Sequence, residues 1–444
     1  MSAESRSQQP VHVVGAGLAG SECAYQLARH GVPVVLHEMR PERSTPAHKT
    51  GLFAELVCSN SLRSDDPVHA AGLLKREMEA FDSLIIGTAR EAAVPAGSAL
   101  AVDRARFAAA VTERLRSLPG IEVRTGEIEA PPEGDCVLAT GPLTSPALAA
   151  AIGGLLGSEY LYFYDAIAPI VDGESLDMEP LFWASRYGKG GGDDYLNVPL
   201  DKEAYEAFHR AILEAEVLPL HEFEKTMFFE GCLPIEELAR RGLDTLRYGP
   251  MKPVGLRGPD GRRPWAVVQL RQENLARSQF NLVGFQSRMK WPDQQRVFRT
   301  LPGFAGAEFV RLGQIHRNTF INAPTHLDAF YRLRERPGLR FAGQITGVEG
   351  YLESAATGLA VALYLLLERR GAVLDGEHAL PATTALGALA RHLTESDPEH
   401  YQPANINHGL FTPLEPLPKK DERRAAYARR ATDDLARWRE RCAI

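Results

Sequence analysis

The chain of 444 residues holds only five cysteines, and no two of them form a C-x-x-C pair. That scarcity argues against a disulfide framework and a structural zinc site, and it points to a reducing, cytoplasmic setting. No metal is expected. Long apolar runs are also missing. The best candidate, Ala355 to Leu367, falls short of the roughly 18 residues a membrane span needs. It is flanked by Glu353 and by Glu368-Arg369-Arg370, and reads as a buried helix. Met1 to Pro10 is polar and lacks the apolar centre of a secretory signal. Internal repeats and low-complexity tracts are absent.

What is present is an ordinary globular composition, 44% hydrophobic and 24% charged, at a length suited to two or three domains. The net charge of −7 disfavours nucleic acid by itself, but it is unevenly spread. Arg240 to Arg317 carries fifteen Lys/Arg against five Asp/Glu, a local +10. Such asymmetry suggests a partner for the basic region. Tyr248, Trp265, Phe280, Phe285 and Trp291 lie in it and are able to stack on bases. A solvated basic face around core aromatics explains the same composition equally well.

The most specific local pattern is Val11-His12-Val13-Val14 running into Gly15-Ala16-Gly17-Leu18-Ala19-Gly20. A helical pattern follows from Ser21 to His30, then Gly31, then the apolar run Val32 to Leu36 ending in His37-Glu38. Strand, G-x-G-x-x-G turn, helix, strand and terminal acid together predict a dinucleotide-binding βαβ unit. Gly15 permits the tight turn, Gly17 lets backbone approach a pyrophosphate, and Gly20 lets helix and strand pack closely. The helix N-terminus offers N–H groups and a positive dipole end to phosphates. Glu38 stands about 20 residues on, where an acid hydrogen-bonds a ribose hydroxyl.

Beyond this unit, 40–67 reads as a loop-rich segment, of the length that functional loops have. Helices are expected at Ala70–Phe81 and Asp103–Leu118, and strands at Ile121–Val123 and Cys136–Ala139. From about Tyr160 to Ile321 short β-like runs alternate with turns and with helical stretches at Lys202–Ala215 and Pro234–Arg241. An apolar strand returns at Arg340–Gly343, followed by a long helix, Leu352–Arg369. From Lys419 the tail is a basic helix, with nine Lys/Arg against five Asp/Glu. Gly188 to Gly192 follows no strand and reads as a flexible loop, so the chain has one dinucleotide domain. A nicotinamide cofactor would bind transiently. The expected fold class is α/β: a Rossmann-like domain in two parts, 10–160 and 322–444, with an inserted α+β domain, 161–321.

Two signals favour FAD. Val137-Leu138-Ala139-Thr140-Gly141 resembles the A-T-G strand end of two-site flavoprotein families. Leu339 to Gly343, then Gly347-Val348-Glu349-Gly350-Tyr351 and a helix, resembles their flavin-facing segment, where a helix dipole stabilises charge on a reduced ring. Among the cysteines, Cys23 and Cys136 suit buried packing and Cys442 carries no signal. Cys232 precedes Pro234-Ile235-Glu236-Glu237, a helix start that lowers a thiol pKa. On spacing alone it serves equally as a nucleophile or as a small residue at that start. Cys58, in the loop-rich segment, reads as a half-buried thiol able to lie over a ligand.

Taken together, several strings identify a family resemblance. They are G-A-G-L-A-G-S-E from Gly15, Glu38-Met39-Arg40-Pro41, V-C-S-N-S-L at Val57–Leu62 and F-F-E-G-C-L-P at Phe228–Pro234. G-P-M-K-P-V-G at Gly249–Gly255, H-R-N-T at His316–Thr319 and G-V-E-G-Y-L-E-S-A-A-T-G at Gly347–Gly358 complete the set. The chain resembles the folate- and FAD-dependent tRNA (uracil-5-)-methyltransferases, the TrmFO family, from about Val11 to the C-terminal region. That resemblance implies formation of 5-methyluridine at position 54 of the tRNA T-loop. Methylenetetrahydrofolate would give the carbon, and NADH or NADPH the electrons through FAD. It makes Cys232 the thiol that attacks the uracil and Cys58 a second functional thiol. It adds Glu349 and Tyr351, with Gly141 and Gly343, to the flavin side. Arg288, Lys290 and Trp291 become candidate RNA contacts, and no stable protein partner is expected. A related flavin enzyme acting on another RNA uridine is the alternative.

Overall fold

Strands Val11–Val14 and Val34–Glu38 lie parallel, joined by the helix Leu18–Arg29, as the valine runs and the glycine turn between them predict. They are the centre of a six-stranded sheet in the order Arg332–Leu333, Arg336–Phe341, Cys136–Leu138, Val11–Val14, Val34–Glu38, Ile121–Thr125. All neighbours are parallel except the first pair. The structure, a computed structural model, describes residues 9–157, 161–218 and 233–444.

The long helix Tyr351–Arg369 crosses the first helix where both are narrow. A Cβ on Gly358 would stand 2.1 Å from the Ala19 carbonyl oxygen, so only glycine allows this approach. Every residue from Leu352 to Leu367 is buried. The helix is apolar all round because it is the spine of this core; among the described residues it is the one helix with the length and hydropathy to cross a membrane. Each fully buried leucine in it contributes about 1.5–3 kcal/mol. The basic tail forms the helix Arg423–Cys442, which docks through Ala431, Leu435 and Trp438.

A second six-stranded sheet, wholly antiparallel, is drawn from residues 170–311, in the order Phe182–Trp183, Tyr195–Leu200, Ala266–Gln272, Gln279–Leu282, Ile170–Asp172, Phe309–Arg311. Helices Lys202–Leu213, Ile235–Arg240 and Trp291–Phe298 pack on it around Tyr205, Phe208, Phe285 and Phe298. The antiparallel pair Leu161–Ala166 and Ile315–Phe320 carries the chain into and out of this unit. Pro234 is the N-cap of its helix rather than a residue of the first turn, where its fixed φ suits it as well.

The segment 40–67 is not all loop. Ser61–Ser64 pairs antiparallel with Ala99–Val102, and Ala93–Val94 completes a small three-stranded sheet. The glycine run near residue 190 is anchored rather than free. The Asp194 carboxylate accepts from Gly97 N at 2.7 Å and from Gly191 N at 3.2 Å.

Candidate active site

Glycine chemistry builds one wall of a cleft at the carboxyl ends of the parallel strands. Gly15 has φ +101°, and a Cβ there would meet the Ala139 carbonyl oxygen at 2.6 Å. A Cβ on Gly20 would come within 1.8 Å of the Gly15 carbonyl oxygen. Gly17, by contrast, has nothing within 4 Å of its Cβ position. The first two glycines are demanded by the turn itself, while Gly17 keeps space clear for a ligand. The helix after it starts with no side-chain cap and no acid in its first turn. Its leading N–H groups thus remain for an anion.

The cleft encloses about 1070 Å³, counting space open to solvent. Gly15, Gly17, Leu18, Ala19 and Glu38 line one end, and Gly141, Gly343 and Tyr351 also line it. Ala16 and Gly20 do not line it. Ala16 N donates to Glu38 Oε2 at 2.9 Å, and Gly20 serves the packing just described. Glu38 is buried, which opposes its charge. Hydrogen bonds from Arg40 outweigh that burial and hold the carboxyl below its ordinary range. Arg40 donates from its backbone N at 3.0 Å, Nε at 2.9 Å and Nη2 at 3.1 Å. A ribose hydroxyl at Glu38 would share the carboxylate with Arg40. Burial, then His12, pulls His37 down to about 4, so the imidazole facing the cleft is neutral.

These features fit an FAD. An open pyrophosphate position lies at an uncapped helix N-terminus, a buried acid stands at the ribose position, and a second helix begins at Tyr351 on the far side of the cleft.

A second cavity, of about 1170 Å³, adjoins the first and shares Val57, Pro142, Leu143, Gln344 and Tyr351 with it. Cys58, Arg63, Gln286, Asn318 and Glu349 line it. Glu349 therefore faces this cavity rather than the dinucleotide cleft, and it accepts from Gln344 Nε2 at 2.6 Å. Tyr351 stands between the two spaces. Its hydroxyl accepts from Cys58 N at 2.6 Å and from Ser59 N at 3.1 Å. Burial, then the neighbouring Cys58, pushes its pKa upward, so the phenol stays neutral and its own proton is free to donate.

The half-buried Cys58 sits in a loop clamped by three arginines that sequence reading missed. Arg104 Nη2 and Arg311 Nη2 donate to the Cys58 carbonyl at 3.2 and 3.0 Å. Arg271 Nη2 donates to Ser59 Oγ at 2.7 Å and its Nε to Asn60 Oδ1 at 2.6 Å. Asn60 Nδ2 in turn donates to Val102 O and Gln272 O, both at 3.0 Å, tying the small sheet to the second large one. Burial pulls Arg271 and Arg311 below their ordinary values, while Glu273 holds Arg104 up against the same burial. Three guanidiniums against one carboxylate leave this loop in a positive environment. Asn60 belonged to a recognisable string, but the arginines lie 46 to 253 residues from Cys58, and no local spacing announces them.

Cys232 and the string 228–232 lie outside the described residues. Cys23 and Cys136 are fully buried packing residues, and burial raises both thiols. Among the described residues no cluster of His, Cys, Asp and Glu could hold a metal. Arg288 is not an available RNA contact. Its side chain is buried, pairs with Glu237 and donates to Leu218 O at 2.8 Å. Lys290 pairs with Glu216 at the surface, and Trp291 is 53% exposed.

The fold and the cleft define an α/β dinucleotide-binding flavoprotein with a thiol-bearing cavity beside the cofactor. Residues 10–372 match the family described as GIDA, Glucose inhibited division protein A. The chain is 55% identical over 436 residues to a Geotalea uraniireducens protein named methylenetetrahydrofolate--tRNA-(uracil-5-)-methyltransferase TrmFO, covering 97% of this chain and 99% of the relative. A Myxococcus xanthus protein of the same name is 55% identical over 437 residues, covering 97% and 95%. The structure of GidA from Aquifex aeolicus is similar in fold, with a TM-score of 0.66 at 14% identity over 97% of this chain and 73% of that one. The chain belongs to the GidA family and, within it, to the TrmFO methyltransferases.

Proposed function

We infer that this protein methylates C5 of uridine 54 in the T-loop of tRNA, in the cytoplasm. The carbon comes from 5,10-methylenetetrahydrofolate and the electrons from NADH or NADPH through FAD. The observation that carries the reading is near-full-length identity to methyltransferases of that name, joined to a dinucleotide cleft that opens onto a cysteine-lined cavity. Bound FAD supplies the reducing equivalents that complete the methyl group.

The chain's residues divide the remaining work. Gly15, Gly17 and the helix start at Leu18 to Gly20 would hold the pyrophosphate, and Glu38 a ribose. Gly141, Gly343 and the N-terminus of the helix at Tyr351 would border the ring. Uracil C5 is a poor nucleophile. A Cys232 thiolate adding to C6 places electron density on C5, which then attacks the one-carbon unit. Loss of the C5 proton, cleavage of the carbon's bond to its carrier nitrogen, uptake of one hydride equivalent and departure of the thiolate leave the C5-methylated ring. Cys58, on the cavity wall with Glu349, is suited to move that proton, and Tyr351 fixes its backbone.

The test is a covalent complex with tRNA carrying 5-fluorouridine, which cannot lose the C5 substituent. The wild-type enzyme should form a denaturant-stable adduct, and Cys232→Ala should form none. An undiminished adduct in Cys232→Ala would remove it as the nucleophile.

A further inference from the structure

One string of the sequence has no part in the site described so far. Gly249–Gly255, G-P-M-K-P-V-G, forms a surface loop of the second unit, and its neighbours explain its composition. Arg186 donates to the carbonyls of Lys252 and Val254, and its Nε to Gln269 Oε1 at 2.7 Å. Tyr187 N donates to Gly255 O at 3.0 Å, and a Cβ on Gly255 would stand 3.1 Å from the Tyr187 ring. Gly255 is thus required to seat Tyr187, which itself holds a left-handed φ of 58°. A non-glycine residue in that region is strained and persists only where its surroundings fix it.

The result of this construction is outward display. Tyr187 is 67% exposed and Tyr248 77%, the two most exposed aromatic rings among the described residues. Lys189, Lys252, Arg257, Arg262 and Arg263 are exposed around them, and none has a carboxylate partner among the described residues. Arg104 and Arg288 are different, because both are bound to acids. Of the acids close to this face in sequence, Asp260 is exposed and accepts from Arg262 N at 2.9 Å. Unspent cations interleaved with exposed aromatic rings are the chemistry of a sugar–phosphate backbone with accessible bases.

The patch is connected to the cavity. Arg186 holds Gln269, and Arg271, two residues along the same strand and on the same face, holds Ser59 and Asn60. Such neighbours are roughly 7 Å apart. We propose that this face, built on Tyr187, Tyr248, Lys189, Lys252, Arg257 and Arg263, is the docking surface for the body of a folded RNA whose target base enters the Cys58 cavity. The inference rests on the tRNA reading above and adds where the RNA lies.

The experiment compares tRNA binding by the FAD-loaded wild type, Lys252→Glu/Arg257→Glu, Tyr248→Ala and Tyr248→Phe across a KCl series, with turnover measured alongside. The double reversal should weaken binding at least tenfold, lower the salt slope by about 2, raise KM and leave kcat at saturating tRNA unchanged. Tyr248→Ala should weaken binding and Tyr248→Phe restore it, because stacking needs only the ring. Melting temperatures and FAD content should match the wild type, since these side chains lie on the surface. If the wild type binds and methylates tRNA while the charge-reversed variant keeps the same affinity and slope, the docking surface is refuted and the function stands. If the wild type shows no salt-dependent tRNA binding, both fall.

Discussion

The Tyr351 hydroxyl accepts the backbone N–H of Cys58 at 2.6 Å across 293 residues of sequence. It joins the helix that faces the dinucleotide cleft to the loop that carries the thiol. Tyr351→Phe removes the acceptor of two inward-facing N–H groups, those of Cys58 and Ser59. An unsatisfied buried donor costs about 1–3 kcal/mol. The variant should keep its FAD, melt earlier and lose methylation activity more than tRNA affinity. Calorimetry and steady-state kinetics check this.

Gly17 and Gly20 should separate cofactor binding from folding. Gly17→Ala meets only open space, so the apoprotein should keep its stability while FAD affinity falls. Gly20→Ala drives a methyl into the Gly15 carbonyl, and overpacking against backbone should cost about 3 kcal/mol or more. Denaturant unfolding of the apoproteins and flavin fluorescence titration distinguish the two.

Asn60 joins three elements at once. Asn60→Ala strands the Val102 and Gln272 carbonyls and the Arg271 Nε without their partner. The expected loss is about 2–4 kcal/mol, with the Cys58 loop exchanging its amide hydrogens faster than in the wild type. Hydrogen exchange of that loop is the measurement.

Glu77 gives a pH dependence. It is fully buried and accepts from Ala385 N at 2.7 Å and Leu386 N at 2.8 Å, at the start of the helix Ala385–Glu395. Burial pushes its carboxyl up to about 8 despite those hydrogen bonds. Its folded pKa lies above the ordinary 4.5, so its contribution is complete below pH 4.5 and is lost as pH rises through about 8. Between pH 5 and 8 the wild type should lose stability relative to Glu77→Gln, in which the slope from this site is gone. Thermal melts of both proteins across that range check the sign.

Reading from sequence worked where the determinants are local. The valine strands, the Gly15–Gly20 turn and the apolar spine Leu352–Leu367 each announce themselves within a few residues, and the structure places them as expected. The small sheet was missed because Ala99-Leu100-Ala101-Val102 and Ser61-Leu62-Arg63-Ser64 are short and poor in β-branched residues. The arginine clamp on Cys58 was invisible for another reason. Arg104, Arg271 and Arg311 meet only after two sheets have packed together. Arg288 was misread because charge composition does not reveal burial, and this buried arginine is paired with Glu237. The neighbouring loop Gly249–Gly255 stood out as a string, yet its purpose emerged only from its contacts with Arg186 and Tyr187.

The most direct test of the central claim follows the carbon. Purified enzyme with FAD and NADPH or NADH should receive 5,10-methylenetetrahydrofolate labelled in its one-carbon unit and unmodified tRNA, and the labelled nucleoside should then be mapped. The account predicts label in 5-methyluridine at position 54 of the T-loop and nowhere else. Label in another nucleotide, or methylation that draws no carbon from the folate, would contradict it.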